Sequence, residues 1–253
     1  MAKELEELAR SHPQAGAAAS AIGKTVFASR GLWGRSGAHA RRPLYAALQR
    51  LHTGPLDRWP PEVIVALHLW ARLLRCGRPR MVPLHPGRSP AAVLYGDAAL
   101  SSRRAAAAVW TGDGRPPLAF SVVLPNNILE GLGPSPEHAI NGAEVWWIVK
   151  ALETWGEKLR GHNVLCFGDN QAAIAGCIAG YSGSVHVARL VGMVHQLLCE
   201  HDIACYFEWV HTLSNPLDGG SRSGWLGSLR RLGAEVIDVS PLLRTNLSDV
   251  HPV

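Results

Sequence analysis

The sequence predicts an α/β protein, a mixed five-stranded sheet covered by helices on both faces and preceded by a small helical segment. Three observations carry this expectation. Apolar residues recur at three-and-four spacing before about residue 77, and short β-type runs take over from Ala91. The runs that follow read β-β-β-α-β-α-α-β, and helices placed between the later strands are the pattern of a helix-covered sheet. Two of the strand runs also end alike, on Gly96-Asp97 and on Gly168-Asp169.

The elements follow in order. Residues 1–19 read as a short charged helix and then "PQAGAAAS", expected to fray as an N-terminal extension. Residues 20–90 read as helical, because "RPLYAALQRLH" and "PPEVIVALHLWARLLRC" each place apolar side chains on one face. Pro60 and Pro61 suit a first helical turn, and "GRPRMVPLHPGRSP" ends the segment with Gly and Pro, which marks the expected domain boundary. Runs at 92–98, 104–110 and 117–124, separated by "SSR" and "GDGRPP", form an antiparallel meander. A long helix "HAINGAEVWWIVKALETWGEKL" comes next, then a strand at 163–168 and helices near 169–179 and 183–201. A fifth strand, "IACYFEWV", leads into the loop "HTLSNPLDGGSR". The sheet domain thus spans 91–223, with a tail over 224–253.

Composition narrows the class. A chain of 253 residues with 47% hydrophobic content can build a substantial core. No run of 18 apolar residues occurs and the N-terminus "MAKELEELARSHPQ" is charged, so the expectation is an intracellular protein of cytoplasm or nucleus. Cys76, Cys166, Cys177, Cys199 and Cys205 lack C-x-x-C spacing and sit mostly in apolar runs, which favours reduced core thiols over zinc ligands. The net charge of +5 is unevenly spread. Between Ser20 and Ala91 there are 12 basic side chains and two acids, leaving 13 basic and 18 acidic residues elsewhere. Arginine dominates the basic segment, and its planar fork suits phosphate, although a solvated face is the plainer alternative.

The acids fall at particular places. In the long helix, Glu144 lies on the stripe of Ile140, Ala143, Trp147, Ile148, Ala151 and Trp155, where an unpaired charge is costly and calls for a cation, a metal ion or a solvent-filled edge. Asp97 and Asp169 end adjacent candidate strands, the place where open α/β sheets put their ligands. Asp218 follows the fifth strand. Plainer alternatives exist: Asp169 could cap a helix by accepting from Gln171 or Ala172, and Asp-Gly-Gly is an ordinary turn. Four acids from four elements could nonetheless converge at one sheet edge and hold two divalent metals, since Mg²⁺ prefers hard oxygen ligands.

Four blocks in order carry a resemblance: "YGDAA" on the first strand, "AEVWWIVKALETW" in the long helix, "FGDNQAA" after the fourth strand, and "WVHTLSNPLDGGSR" after the fifth. Residues 91–222 resemble the ribonuclease H domain of a retroelement reverse transcriptase. The segment "GKTVFASRGLWGRSGAHARRPLYAALQRL" resembles, more weakly, the thumb and connection that follow the polymerase palm. The resemblance implies a metal-dependent endonuclease that hydrolyses the RNA strand of RNA/DNA hybrids, leaving 5′-phosphate ends. Asp97 would bridge two Mg²⁺ ions, with Mn²⁺ as substitute, while Glu144 and Asp169 would serve the leaving-group side and Asp218 the water side. His211 is the nearby candidate for proton transfer. Asn170, Gln171 and Asn215 would contact the hybrid beside the site, and Arg41 and Arg42 would contact it from the basic segment. The natural partner would be the polymerase portion of a longer polyprotein, because no Tyr-x-Asp-Asp motif occurs here. Gly219 and Gly220 depart from the helix that follows this acid in the family, and residues 125–138 form a longer connection than compact relatives use. Two other readings stay open: a binding module on the same fold without catalysis, and a different nuclease or transposase using the same carboxylates.

Overall fold

A computed structural model describes residues 1–32, 35–77, 79, 91–124, 126–132 and 135–239. The chain divides into two compact units, one within residues 1–82 and a larger one from residue 83. Most of the Pro-rich stretch expected to mark the boundary lies outside the described residues, as does the end of the expected tail from residue 240.

Among the described residues the first unit holds four helices: α1 (Ala2–Arg10), α2 (Ala15–Ala28), α3 (Arg41–Thr53) and α4 (Pro61–Cys76). Pro61 sits in the first turn of α4, where its missing N–H leaves no gap in the helix ladder. Leu5, Leu44, Leu67 and Trp70 fill a core of their own, each at most 2% exposed. The expected frayed entry is instead the start of α2: Ala18 is fully buried, so tertiary packing holds a segment whose small side chains had suggested fraying. Arg41 and Arg42 open α3, with Arg41 reaching the Ser29 hydroxyl at 3.4 Å.

The second unit is a six-stranded sheet in the order β5-β4-β1-β2-β3-β6. Its strands are β1 (Ala91–Ala99), β2 (Arg104–Trp110), β3 (Leu118–Val123), β4 (Asn163–Gly168), β5 (Ala204–Trp209) and β6 (Glu235–Val236). β1, β2 and β3 form the expected antiparallel meander, and β4 and β5 run parallel to β1. β6, parallel to β3, is an addition within the expected tail. Its two residues carry no periodic signal, so only the structure reveals it. The connection after β3 contains a short helix, α5 (Asn126–Gly131).

One sheet face is covered by α6 (Pro136–Trp155), with α7 (Gln171–Ala179) and α8 (Val185–Glu200) packed beside it. Leu94, Phe120, Trp147, Ile148, Leu152 and Val191 meet there in a single core. The opposite face beside β2 and β3 is covered by α9 (Trp225–Arg231), through Leu229 against Ala106, Ala108 and Ala119. The alanines of "RAAAAVW" explain how β2 accepts both layers: Ala105 to Ala108 are all fully buried, and small side chains let helices approach from either side. Cys166 and Cys177 are buried free thiols and Cys199 and Cys205 half-buried ones, as expected. Among the described residues, no helix is long and apolar enough to cross a membrane.

Candidate active site

The parallel pairing of β1 and β4 sets their ends side by side, with Tyr95 opposite Phe167. Asp97, two residues further along β1, therefore lies beside the point where Asp169 follows β4. Asp218 arrives from the loop after β5. One carboxylate oxygen from each of Asp97, Asp169 and Asp218 lies within 4.8 Å of the others. With Glu144 they line an open cleft of about 270 Å³, together with Ala98, Ile140, Asn170, Thr212 and Arg222.

Local chemistry explains why the strand ends read Gly-Asp. Trp147, fully buried on α6, lies against both glycines. A Cβ on Gly96 would sit 2.3 Å from its indole ring, and one on Gly168 would sit 3.4 Å away. The same indole donates from Nε1 to Glu144 Oε2 at 3.1 Å, while Glu144 Oε1 accepts from the Ala98 backbone N–H at 3.3 Å. One tryptophan thus spaces two strand ends and holds the glutamate between them. Trp147 was legible in the sequence only as a stripe residue. The stripe itself was too narrow a description, because α6 is buried almost all round from Gly142 to Leu152.

Asp169 does not cap α7. That position is taken by Asn170, whose Oδ1 accepts from the Ala173 N–H at 2.9 Å and whose amide donates to Asn141 at 2.9 Å. The Asp169 side chain is thereby left to the cleft, and its backbone carbonyl accepts from Trp209 Nε1 at 2.9 Å. Asp218 ends a turn closed by its own N–H on the Asn215 carbonyl, and Arg222 pairs with its carboxylate.

Other candidates fall elsewhere. Asn215, expected at the hybrid surface, is only 5% exposed, and both ends of its amide are used internally: Nδ2 donates to the Gly96 carbonyl at 3.0 Å and Oδ1 accepts from Leu217 N–H at 3.1 Å. It anchors the loop on β1. Gln171 is exposed at the start of α7. His211 is exposed and stands outside the cleft lining, where Thr212 takes the nearer place. Its Nδ1 accepts from Leu213 N–H at 3.2 Å, which assigns the ring proton to Nε2 when the imidazole is neutral. Arg41 and Arg42 belong to the first unit.

Crowded carboxylates shift one another. Burial, followed by the charges of Asp169 and Asp218, raises Asp97 from an ordinary 3.8 to about 7, against the opposing hydrogen bond from Ser221. Burial, then Asp97 and Asp169, raises Glu144 well above its usual range. An acid whose folded pKa is raised favours the fold below its unfolded value and loses that contribution as pH climbs through the folded one. For Asp97 the window runs from about pH 4 to pH 7. The metal-free protein is therefore expected to melt lower at pH 8 than at pH 5.5, and Mg²⁺ to restore several degrees at pH 8 but little at pH 5.5. Calorimetry in EDTA and in Mg²⁺ checks this; a melting point that rises towards pH 8 in EDTA would contradict it. Clustered carboxylate oxygens are the hard donor set a divalent cation fits.

No protein-family model matches the chain, and no curated protein matches it. Among solved structures, the chain is similar to the N-terminal RNase H domain of Rv2228c from Mycobacterium tuberculosis, determined as a fusion with maltose-binding protein, at 15% identity and a TM-score of 0.39, covering 58% of this chain and 100% of that one.

Proposed function

We propose that the second unit is a metal-dependent endonuclease acting on the RNA strand of RNA/DNA hybrids, and that the chain serves a retroelement reverse transcriptase whose polymerase lies in another segment. The observation that carries this reading is the meeting of Asp97, Asp169 and Asp218 within 4.8 Å at one sheet edge, with Glu144 in the same cleft. These four residues are the ones placed by the four sequence blocks.

Asp97, Asp169 and Asp218 would hold Mg²⁺, and Glu144 would complete the set. Bound divalent ions neutralise charge developing on a phosphate and make a water-derived nucleophile accessible at neutral pH. The chain supplies the rest. Asp97, which burial and its acidic neighbours raise to about 7, would give up its proton to serve as a ligand. Arg222 keeps a largely exposed guanidinium at the cleft, placed to meet a phosphate oxygen. Trp147 keeps Glu144 from swinging away. The cleft is open, as a site for a polymer must be, and a wide shallow RNA-containing groove would present its 2′-hydroxyls there.

The test is cleavage of an end-labelled RNA/DNA hybrid, expected in Mg²⁺, absent in EDTA, and leaving 5′-phosphates. A folded protein that binds the hybrid without cutting it in either Mg²⁺ or Mn²⁺ would favour the non-catalytic module. Asp218→Asn is expected to slow cleavage about a hundredfold to a thousandfold, which corresponds to roughly 3 to 4 kcal/mol of transition-state stabilisation, with hybrid binding nearly unchanged. Partial rescue by Mn²⁺ is expected, since it tolerates neutral ligands better than Mg²⁺. Unchanged rates in Mg²⁺ would reduce Asp218 to a turn residue.

A further inference from the structure

We infer that Ser221 is the positioning residue for Asp97, joining the loop that carries Asp218 to the strand that carries the central ligand. This deepens the metal-site reading above and rests on it. The Ser221 side chain is completely buried, and its hydroxyl donates to Asp97 Oδ2. The Asp218 backbone carbonyl lies 3.3 Å from the same oxygen. A hydroxyl has one proton, and a carboxylate in a buried setting is the stronger acceptor, so the bond to Asp97 takes it.

The loop is fixed well enough for that bond to set an orientation. The Ser221 carbonyl accepts from the Ser102 hydroxyl. The Gly220 carbonyl accepts from the Ser121 hydroxyl at 2.7 Å. Ser121 is in turn held by Arg104, whose guanidinium lies 4.6 Å from the Trp225 ring centre. Asn215 ties the other end of the loop to Gly96. Gly219 and Gly220 accordingly do not leave Asp218 on a slack turn. Where a helix is expected to support this acid, the chain uses hydrogen bonds to β1, to β3 and to the turn after β1. A single buried hydroxyl then decides how the Asp97 carboxylate is turned towards Asp169 and Asp218. Partners of this kind, one bond behind a ligand, typically change metal affinity or activity tenfold to a hundredfold when removed.

The test compares Ser221→Ala, Ser221→Cys and Ser102→Ala by titrating Mg²⁺ while following the melting temperature of the whole chain, which needs no substrate. Ser221→Ala is expected to raise the Mg²⁺ concentration for half-maximal stabilisation about tenfold or more. Ser221→Cys fills the same space with a poor donor and is expected to resemble the alanine variant. Ser102→Ala removes one tie of the loop, leaving those from Ser121 and Asn215 and the bond to Asp97, and is expected to lower the melting temperature while shifting the Mg²⁺ midpoint far less than Ser221→Ala. A wild-type midpoint in Ser221→Ala, full recovery in Ser221→Cys, or an equal shift in Ser102→Ala would overturn the assignment and return Ser221 to packing. If the variants behave as expected but no hybrid is cut, the nuclease reading fails and the positioning role stands. If the wild-type chain takes up no Mg²⁺ at all, the metal site falls and this role falls with it.

Discussion

Asp97→Asn is expected to remove hybrid cleavage by at least about a thousandfold, equivalent to roughly 4 kcal/mol, and at the same time to raise the melting temperature of the metal-free protein at pH 8. Both effects follow from its position. Asp97 is 5% exposed and lies within 4.8 Å of two further carboxylates, so at pH 8 without a cation it is a buried charge among like charges. The amide removes that repulsion, keeps an acceptor for the Ser221 hydroxyl, and deletes the charge a divalent ion needs. Opposite signs for stability and activity are the mark of a site residue rather than a packing one. Parallel measurements of single-turnover cleavage in Mg²⁺ and of melting in EDTA decide the matter: a variant that is destabilised in EDTA, or that still cuts at a tenth of the normal rate, contradicts this assignment.

Gly96→Ala carries the largest expected effect on folding. The added Cβ would meet the Trp147 ring at 2.3 Å, far inside van der Waals contact, and the ring is fully buried with no free space to yield. Gly96 is not among the glycines with positive φ, so the demand is for room and not for an unusual backbone. Overpacking of this kind costs about 3 kcal/mol or more, which lowers the melting temperature by roughly 10 °C in a domain of this size. Because Trp147 also holds Glu144, whatever folds should cleave poorly even at low temperature. Denaturant titration alongside cleavage at 15 °C measures both; wild-type stability in Gly96→Ala would mean that the tryptophan moves easily and holds nothing.

These two neighbours show what was and was not legible in the sequence. Periodicity placed the five longer strands to within a residue or two, because each is bounded by Gly, Pro or charged turns and needs no distant information. The carboxylates were visible by local pattern too: Asp97 and Asp169 after Gly near the ends of β-type runs, Glu144 on a helical apolar stripe, and Asp218 in the loop after the fifth strand. The purpose of the glycines was not visible, because a close approach to Trp147 joins residues 51 apart in the chain and leaves no local pattern. Ser221 was quoted as part of an ending without a role, and its role depends on where β1 lies. Asn215 shows the converse: a polar residue beside a site reads as a surface contact until the loop folds its amide inward onto Gly96. The first turn of α2 gave no sign because alanine and glycine make no stripe there, and β6 none because two residues cannot alternate.

The loop that carries Asp218 reaches back a long way. Its bonds join positions 119 apart at Gly96 and Asn215, 124 apart at Asp97 and Ser221, and 99 apart at Ser121 and Gly220. Contacts of such separation form late, since the loop-closure entropy must be met before they stabilise anything. Synthesis proceeds from the N-terminus, so a nascent chain can pair β1 with β2 and β3 well before Asn215 exists. Such a chain has a meander and a lone Asp97 but no completed centre. The cluster of Asp97, Asp169 and Asp218, with its tie to Ser221, therefore assembles only after that loop has left the ribosome, and termination upstream of it yields a fragment without the cluster.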